Sequence, residues 1–234
     1  MKRRSFVAVC TTATALAAHP RAFAAADATI VPHERVRLTD PQGVPLKSAA
    51  LVPDLNYVFH YPFKSTPCLL LNLSVAVEAS VQLATEKGDA YTWPGGVGPG
   101  RSVVAYSAIC AHLLSHIDKQ NAFISYLANA GDIAGKPNMI SCCAHGAVYN
   151  PARGAAVVTG PPPQPLAAIA LDHDPADDAL YATGVIGSDR FHDFFKSFKR
   201  ELRKEFGRTG YKEQVRDHAP VTPLSEYSQE IFKC

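Results

Sequence analysis

The fold is decided by two short stretches, Cys110-Ala111-His112 and Cys142-Cys143-Ala144-His145, which lie on either side of residues 113–141. Each stretch offers one thiolate and one imidazole. Zinc fingers usually pair their two cysteines in one knuckle and their two histidines elsewhere. Here each stretch carries one ligand of each kind, which suits a two-iron cluster with both cysteines on one iron and both histidines on the other. The pattern therefore predicts two loops that hold such a cluster between them.

Three other interpretations of the same residues stay open. A single zinc ion could be bound by Cys110, His112, Cys142 and His145 together. In an oxidising compartment, Cys110 and Cys142 could instead form a disulfide. The four residues could also be histidines and cysteines that are buried for packing alone. The residues that flank the two stretches fit the cluster better than these alternatives.

Away from the two stretches, short apolar segments alternate with turn signals. Residues 34–38 alternate polar and apolar side chains, so that Val36 and Leu38 would face one side of a strand and Arg35 and Arg37 the other. Further strands are predicted at residues 68–77, 103–109, 155–159, 167–171 and 180–183. Clusters of Pro and Gly separate these segments. Many short strands at this spacing predict a mainly β fold, a sandwich or barrel, over residues 25–184.

A less regular stretch lies at residues 116–137, and we interpret it as an insertion in which residues 121–129 are the candidate helix. His116 stands at its start. We interpret His116 as a surface or supporting residue, with an electron-exit contact as the alternative. His60 has no partner motif nearby. A packing or surface role is therefore the expectation for His60.

The last fifty residues, 185–234, differ in character from the rest. Apolar residues recur there at helical spacing, and Gly207 can end the helix; they are Phe191, Phe194, Phe195, Phe198, Leu202 and Phe206. This face predicts a helix packed on the chain's own β domain. A docking helix for a larger partner and a membrane-surface helix are the alternatives. Residues 209–234 look extended and polar, as a docking tail would.

Residues 1–24 have the layout of a signal peptide. Arg3 and Arg4 precede an apolar run at residues 6–18, and a small-x-small site follows at residues 22–24. The Arg-Arg-x-Phe start resembles a twin-arginine signal, which predicts export of a folded, cofactor-loaded chain to the periplasm. The run is too short and polar for a stable membrane anchor. An uncleaved anchor and a chance basic start on a cytosolic protein are the alternatives.

The charge balance argues against one class of function. The 234 residues include 23 Lys and Arg and 21 Asp and Glu, a formal net charge of +2. The first 24 residues hold four of the basic residues and no acid, so the remainder has 23 − 4 = 19 basic and 21 acidic residues, a net of −2. Proteins that coat nucleic acid are strongly basic. The chain is therefore not expected to bind nucleic acid.

Over residues 101–171 the sequence resembles the Rieske 2Fe-2S protein family. The resemblance rests on Cys-x-His at residues 110–112, Cys-x-x-His-Gly at residues 142–146, Tyr149, and a proline loop at residues 160–163. The fold it implies is a β structure that carries a small cluster-binding subdomain, which would occupy about residues 101–166. The cofactor it implies is a Rieske-type 2Fe-2S cluster. Its implied ligands are Cys110, His112, Cys142 and His145, with Tyr149 beside the cluster.

The resemblance also implies a function. Within the family, the export signal and residues 61–68 look most like the small subunit of arsenite oxidase, and the small subunit of iodate reductase is similar. Such a chain relays electrons between a large molybdopterin subunit and a c-type cytochrome or similar carrier, and is not expected to turn over a substrate alone. One alternative is the Rieske subunit of a membrane quinol-oxidising cytochrome bc-type complex. Another is a binding domain stabilised by structural zinc or by a disulfide.

This chain departs from the high-potential members of the family at several positions. Those members join their cluster loops by a disulfide, whereas the matching positions here are Ser115 and Ala144. A serine that donates a hydrogen bond to a cluster sulfur in those members is Ala147 here, while Tyr149 keeps its hydroxyl. Losing one donor makes the reduced cluster less stable. The expected potential therefore lies well below the top of the family range of about −150 to +300 mV.

The remaining cysteines have no assigned pairing. Cys143 lies next to a ligand and is predicted to be a free thiol. Cys68 and Cys234 could pair after export, but Cys68 could equally be a buried core thiol.

Overall fold

The computed structural model describes residues 30–234, so the signal peptide predicted at residues 1–24 lies outside the described residues. The strands are β1 (Ile30–Thr39), β2 (Tyr57–His60), β3 (Pro67–Asn72), β4 (Val81–Ala84), β5 (Ala90–Trp93), β6 (Val103–Ser107), β7 (Asn121–Ala122), β8 (Ile124–Leu127), β9 (Met139–Cys142), β10 (Ala147–Asn150), β11 (Ala156–Thr159), β12 (Ala168–Asp174), β13 (Ala179–Ile186), β14 (His218–Pro220), β15 (Thr222–Pro223) and β16 (Glu230–Ile231). The helices are α1 (Phe191–Ser197), α2 (Lys199–Phe206) and α3 (Leu224–Tyr227), and short 3-10 turns occupy Ser48–Ala50, Pro151–Arg153 and Gly210–Lys212.

The larger of the two main sheets has eight strands in the order β14-β1-β13-β12-β6-β3-β2-β15. Its two edge strands, β14 and β15, are separated in the chain by the single residue Val221. The backbone N–H of Val221 donates to the carbonyl of Thr39 on β1 at 2.8 Å. The two edges therefore come close together, and the sheet is nearly a barrel. The predicted mainly β fold is confirmed.

The first strand has the two faces that its alternating pattern predicts. Val36 and Leu38 are fully buried in the core. On the other face, Arg35 pairs with Asp172 at 2.8 Å, and Arg37 pairs with an aspartate of the β12–β13 turn at 2.7 Å. Because side chains alternate across a strand, the pattern orients residues 35–38, whereas the register shifts between Pro32 and Val36.

The strand β3 separates two apolar cores. Leu69 and Leu71 pack in the core shared with the smaller sheet, whereas Cys68 and Leu70 pack in the core beneath the C-terminal helices. All four side chains are fully buried. A strand buried on both faces loses the alternation of polar and apolar residues.

The smaller sheet is inserted between two neighbouring strands of the larger one. Strands β6 and β12 pair with each other, and residues 108–167 lie between them in the chain. This insertion contains an antiparallel sheet in the order β11-β10-β9-β8. An inserted subdomain that carries the candidate cluster-binding residues is therefore confirmed.

The helix predicted at residues 121–129 is wrong. Strands β7 and β8 occupy this stretch, and β8 pairs with β9 of the smaller sheet. Strand β16, near the end of the chain, pairs in parallel with β7, with Glu230 opposite Asn121. These distant partners supply the backbone hydrogen bonds, and local helical preference does not decide the structure.

The C-terminal amphipathic segment forms two helices rather than one. Phe198, with φ −107° and ψ 21°, separates α1 from α2. The apolar face is buried in this chain's own core, as Phe194 and Leu202 show with 0% and 5% exposure. Gly207, with φ +83°, follows directly after α2. In residues 30–234, no helix is long and apolar enough to cross a membrane.

Candidate metal centre

The first loop, residues 108–116, leaves β6 and turns sharply at Cys110. The backbone N–H of Cys110 donates to the carbonyl of Ser115 at 2.8 Å, and the N–H of Leu114 donates to the carbonyl of Cys110 at 3.2 Å. Leu114 takes a positive φ of 64° to close this turn. The loop thereby buries Cys110 completely and leaves His112 half-buried.

The second loop, residues 142–146, includes the last residue of β9 and joins that strand to the antiparallel strand β10. Cys142 and Ala147 face each other in the register of this hairpin. The N–H of Gly146 donates to the carbonyl of Cys142 at 3.1 Å, and Gly146 has a φ of +70°, which favours glycine. The hairpin keeps Cys142 buried while His145 is exposed at its tip.

The two loops bury Cys110 and Cys142 in the same apolar core, where each thiol shifts the pKa of the other. A hydrogen bond between them lowers the pKa of Cys110 to about 6, and the Tyr149 hydroxyl and the N–H of His112 act in the same direction. The same hydrogen bond raises the pKa of Cys142, because Cys110 takes the negative charge first. Burial also raises the pKa of Cys142. The site therefore favours thiolate at Cys110 even before a cation is bound.

Tyr149 lies against the first loop from strand β10. Its hydroxyl is 3.2 Å from the sulfur of Cys110 and accepts a hydrogen bond from the N–H of Ala111, also at 3.2 Å. Because the oxygen accepts from Ala111, its own proton can be directed to the sulfur. Burial, together with the neighbouring Cys110, raises the pKa of Tyr149, so the hydroxyl stays protonated as a donor.

The two imidazoles form a second pair. The rings of His112 and His145 are 5.1 Å apart between centroids and nearly perpendicular, at 87°. The Nδ1 atom of His112 is buried and has no hydrogen-bond partner. A buried polar atom without a partner is costly unless something else binds it. Nδ1 of His112 is thus the expected metal-binding atom of this ring.

The donor set fits a 2Fe-2S cluster. Its four side chains form two pairs, one of buried thiols and one of imidazoles whose rings lie in contact. Within residues 30–234, no group of three or more His, Cys, Asp or Glu side chains is placed closely enough to hold a metal ion, and this applies to zinc and iron alike. Zinc takes four ligands around one centre, whereas a Rieske cluster takes two thiolates on one iron and two imidazoles on the other. The paired arrangement matches the second pattern.

The proline loop, residues 160–163, packs directly on the second loop. Gly160 has a φ of +97°, and a Cβ placed on it would lie 2.4 Å from the carbonyl oxygen of Gly146. The same Cβ would lie 2.9 Å from the Cα atom of Ala147. Glycine at residue 160 is therefore a packing requirement for the second loop.

Arg190 reaches the first loop and was missed by the sequence analysis. Its guanidinium donates to the carbonyl of Ala111 at 3.0 Å, between the two candidate ligands of the first loop. Asp193 lies 3.2 Å away from the same guanidinium, and Glu86 lies 3.7 Å away. No local pattern identifies this contact, because 79 positions separate Arg190 from Ala111.

His116 supports the first loop, which agrees with one of its two expected roles. Its ring packs edge-on against Phe194 and Phe198 at 4.9 and 4.6 Å. Its Nδ1 lies 3.0 Å from the carbonyl of Leu114, to which it can donate. Burial lowers the pKa of His116. His116 therefore links the first loop to the C-terminal helices and is not an open surface residue.

His60 has the packing role that was expected. Its Nε2 lies 2.9 Å from the hydroxyl of Tyr227, and its ring packs against Phe206. Burial lowers the pKa of His60 to about 4, so the neutral ring is the native form.

The prediction that Cys143 is a free thiol is wrong. Cys143 forms a disulfide with Cys234, the last residue of the chain. Cys68 is a buried free thiol in the core, and Cys110 and Cys142 are also free. Sequence could not reveal this pairing, because 91 positions separate the two cysteines and only the course of the tail brings them together.

Comparison with known proteins gives similar solved structures but no family match. No protein-family model matches the chain. The chain is similar to the soluble domain of the Rieske protein II (soxF) from Sulfolobus acidocaldarius, a crystal structure with 27% sequence identity. The similarity covers 67% of this chain and 81% of that chain, with a TM-score of 0.47. At this score the two folds agree only in part, and the interpretation of the site depends on its own contacts.

Proposed function

We propose that this chain is a Rieske-type 2Fe-2S electron-transfer subunit. One observation carries the proposal. Two loops hold a buried pair of thiols against a more exposed pair of imidazoles, and the buried Nδ1 of His112 has no hydrogen-bond partner. This set of donors fits one iron with sulfur ligands in the interior and one iron with nitrogen ligands near the surface.

Each residue of the site has a distinct role in this proposal. When bound, the cluster supplies a centre that gains or loses one electron. Cys110 and Cys142 would hold the inner iron, and His112 and His145 the outer iron. The hydroxyl of Tyr149 donates toward the sulfur of Cys110 and so stabilises negative charge there. The exposed ring of His145 gives an electron carrier access to the site.

The surface around the imidazoles suits contact with a protein carrier. Leu113, next to His112, is 57% exposed, and Val158 is 38% exposed. Residues 111–115, 143–146 and 158–163 contain no Asp, Glu, Lys or Arg. Exposed apolar side chains such as Leu113 and Val158 offer area that a partner can bury.

We propose further that the chain works in the periplasm with two partners. These are a large molybdopterin oxidoreductase subunit, of the arsenite oxidase kind, and a c-type cytochrome or similar carrier. The resemblance of residues 1–24 to a twin-arginine signal and of residues 61–68 to the arsenite oxidase small subunit supports this proposal. The Cys143–Cys234 disulfide supports it too, because disulfides persist in oxidising compartments.

The cluster is tested by low-temperature electron paramagnetic resonance of the dithionite-reduced protein, with iron and zinc measured on the same sample. The expected result is two iron atoms per chain and a Rieske-type signal with a lowered average g value. Cys142→Ser should abolish both, whereas Cys68→Ser, which changes a buried thiol outside the site, should keep both. Zinc without iron in the wild-type protein would overturn the proposal in favour of a structural metal site.

The partners are tested separately. The reduced chain is mixed in a stopped-flow instrument with a c-type cytochrome or with a soluble quinone, and oxidation of the chain is followed. Faster oxidation by the cytochrome, together with co-purification of a molybdopterin subunit with the tagged chain, is expected. Fast reaction with the quinone alone would favour the cytochrome bc-type alternative.

A further inference from the structure

We propose that the Cys143–Cys234 disulfide is a clamp that holds the second loop in place and slows loss of the cluster. The inference rests on the proposed function, because it assumes that the second loop supplies cluster ligands. Cys143 directly follows the candidate ligand Cys142 and precedes His145 by two residues. A bond at Cys143 therefore acts on a loop that carries half of the donor set.

Neighbouring cysteines of the second loop face different partners. Cys142 is buried in the same apolar core as Cys110 inside the site, whereas the sulfur of Cys143 is bonded to Cys234 outside it. The N–H of Cys143 donates to the carbonyl of Phe123 at 2.8 Å. The backbone and the disulfide together fix the outer side of the second loop.

The C-terminal tail is seated independently of the disulfide. The N–H groups of Gln229, Glu230 and Phe232 donate to the carbonyls of Lys119, Gln120 and Ala122 at 3.0, 2.9 and 3.1 Å. The ring of Phe232 stacks on that of Phe123, with centroids 4.6 Å apart and planes within 9°. The disulfide therefore joins the second loop to a segment that other contacts already hold, which is what a clamp requires.

Gly131 packs directly against Cys234, the last residue of the tail, and only the lack of a side chain at Gly131 allows this packing. A Cβ on Gly131 would lie 2.1 Å from a backbone oxygen of Cys234 and 2.7 Å from a methyl carbon of Leu127. Neither group can absorb such an overlap without moving. A Gly131→Ala change would therefore displace Cys234 without altering either cysteine.

Opening the clamp needs a reductant, and a dithiol supplies it. Dithiothreitol attacks the Cys143–Cys234 bond, gives one electron and one proton to each sulfur, and leaves as a cyclic disulfide. The freed second loop then keeps its hydrogen bonds but loses its covalent link to the tail. We expect cluster loss to become about 10-fold faster or more, the scale seen when a group that orients a metal ligand is removed.

The test measures the rate at which the purified, cluster-loaded chain loses iron to a chelator, followed by its visible absorption. Cys143→Ser/Cys234→Ser is the main variant, because it removes the bond and leaves no stray thiol. Cys68→Ser is the matched control, since Cys68 is a buried free thiol that takes no part in the disulfide. Gly131→Ala is a second variant, which displaces Cys234 while both cysteines stay in place. Electron paramagnetic resonance line width reports the order of the imidazole ligands in each sample.

The clamp is supported if the double variant and Gly131→Ala lose iron faster and show broader lines, while Cys68→Ser behaves as wild type. Dithiothreitol should then accelerate loss in wild type and in Cys68→Ser but not in the double variant. Equal rates and line widths in wild type and the double variant would overturn the clamp while leaving the cluster intact. Faster loss only in Cys234→Ser would also overturn it, because the free Cys143 thiol would then be the cause. Wild-type protein without iron would instead refute the proposed function.

Discussion

Replacing Gly160 by alanine should empty the candidate metal centre without unfolding the large sheet. Gly160 lies in the proline loop and has a φ of +97°, a conformation that alanine adopts only with strain. Its missing Cβ would meet the backbone of the second loop rather than a flexible side chain. The damage should therefore fall on the loop that carries Cys142 and His145.

The structure sets the size of this effect. A Cβ on residue 160 would lie 2.4 Å from the carbonyl oxygen of Gly146, whereas ordinary contact begins at 3.4 Å, so one of the two backbones must move by roughly 1 Å. Metal–ligand distances tolerate only about 0.2 Å. The positive φ costs about 1–3 kcal/mol, and the overlap adds about 1–3 kcal/mol in a packed region.

Gly88→Ala is the matched control, because it separates strain from overlap. Gly88 has a φ of +88° in the turn between β4 and β5, and nothing lies within 4 Å of its Cβ position. Both variants are purified, and iron per chain, the electron paramagnetic resonance signal and the unfolding temperature are measured. Gly88→Ala should lower the unfolding temperature but keep two irons, whereas Gly160→Ala should also lose most of its iron. Full iron content and an unchanged signal in Gly160→Ala would refute the reasoning.

Three further predictions concern electron transfer and pH. Tyr149→Phe removes a donor to a ligating sulfur, so the midpoint potential should fall by about 40 mV for each 1 kcal/mol of lost stabilisation of the reduced state. Tyr106→Phe, which loses a buried hydrogen bond to a backbone carbonyl instead, should leave the potential unchanged; equal shifts in both would contradict the role of Tyr149. Leu113→Glu should slow oxidation by a cytochrome carrier in stopped-flow experiments, whereas Val44→Glu, at an equally exposed residue, should not; equal rates would argue against docking at the tip. Burial lowers the pKa of His60 to about 4 from 6.5, so its neutral form stabilises the fold fully above pH 6.5. That contribution is lost as the pH falls toward about 4, by at most about 1.4 kcal/mol per pH unit. The free energy of unfolding in urea should therefore depend less steeply on pH for His60→Gln than for wild type. Identical slopes would show that His60 does not contribute to this pH dependence.

Local patterns predicted the parts of the fold that local contacts determine. The alternation at residues 34–38 placed Val36 and Leu38 in the core and Arg35 and Arg37 outside it, because neighbouring side chains of a strand face opposite sides. The spacing from Phe191 to Phe206 identified the buried helical face, although the chain breaks the helix at Phe198. The helix predicted at residues 121–129 was wrong because β9 and the distant β16 provide the pairing there.

In the candidate site, too, local patterns predicted some features, whereas others depend on distant contacts. The Cys-x-His and Cys-x-x-His patterns predicted four candidate ligands, because each loop is short and carries its own pair. The structure brings both pairs together and places Tyr149 against Cys110. Arg190 and the Cys143–Cys234 disulfide escaped prediction, since their partners are 79 and 91 positions away. Contacts of that range depend on the completed fold, and no pattern within one segment encodes them.

Under the proposed export route, the cluster is inserted first and the Cys143–Cys234 disulfide forms afterwards. The reducing cytosol would keep Cys143 and Cys234 as thiols, so a cluster inserted before export would enter a site whose second loop is not yet tied. Contacts of residues 229–232 would already seat the tail and hold Cys234 near its partner. Oxidation after export would then form the bond around a loaded site. The disulfide would therefore act on retention of the cluster rather than on its insertion, which is why the rate of iron loss, and not the initial iron content, is the decisive measurement.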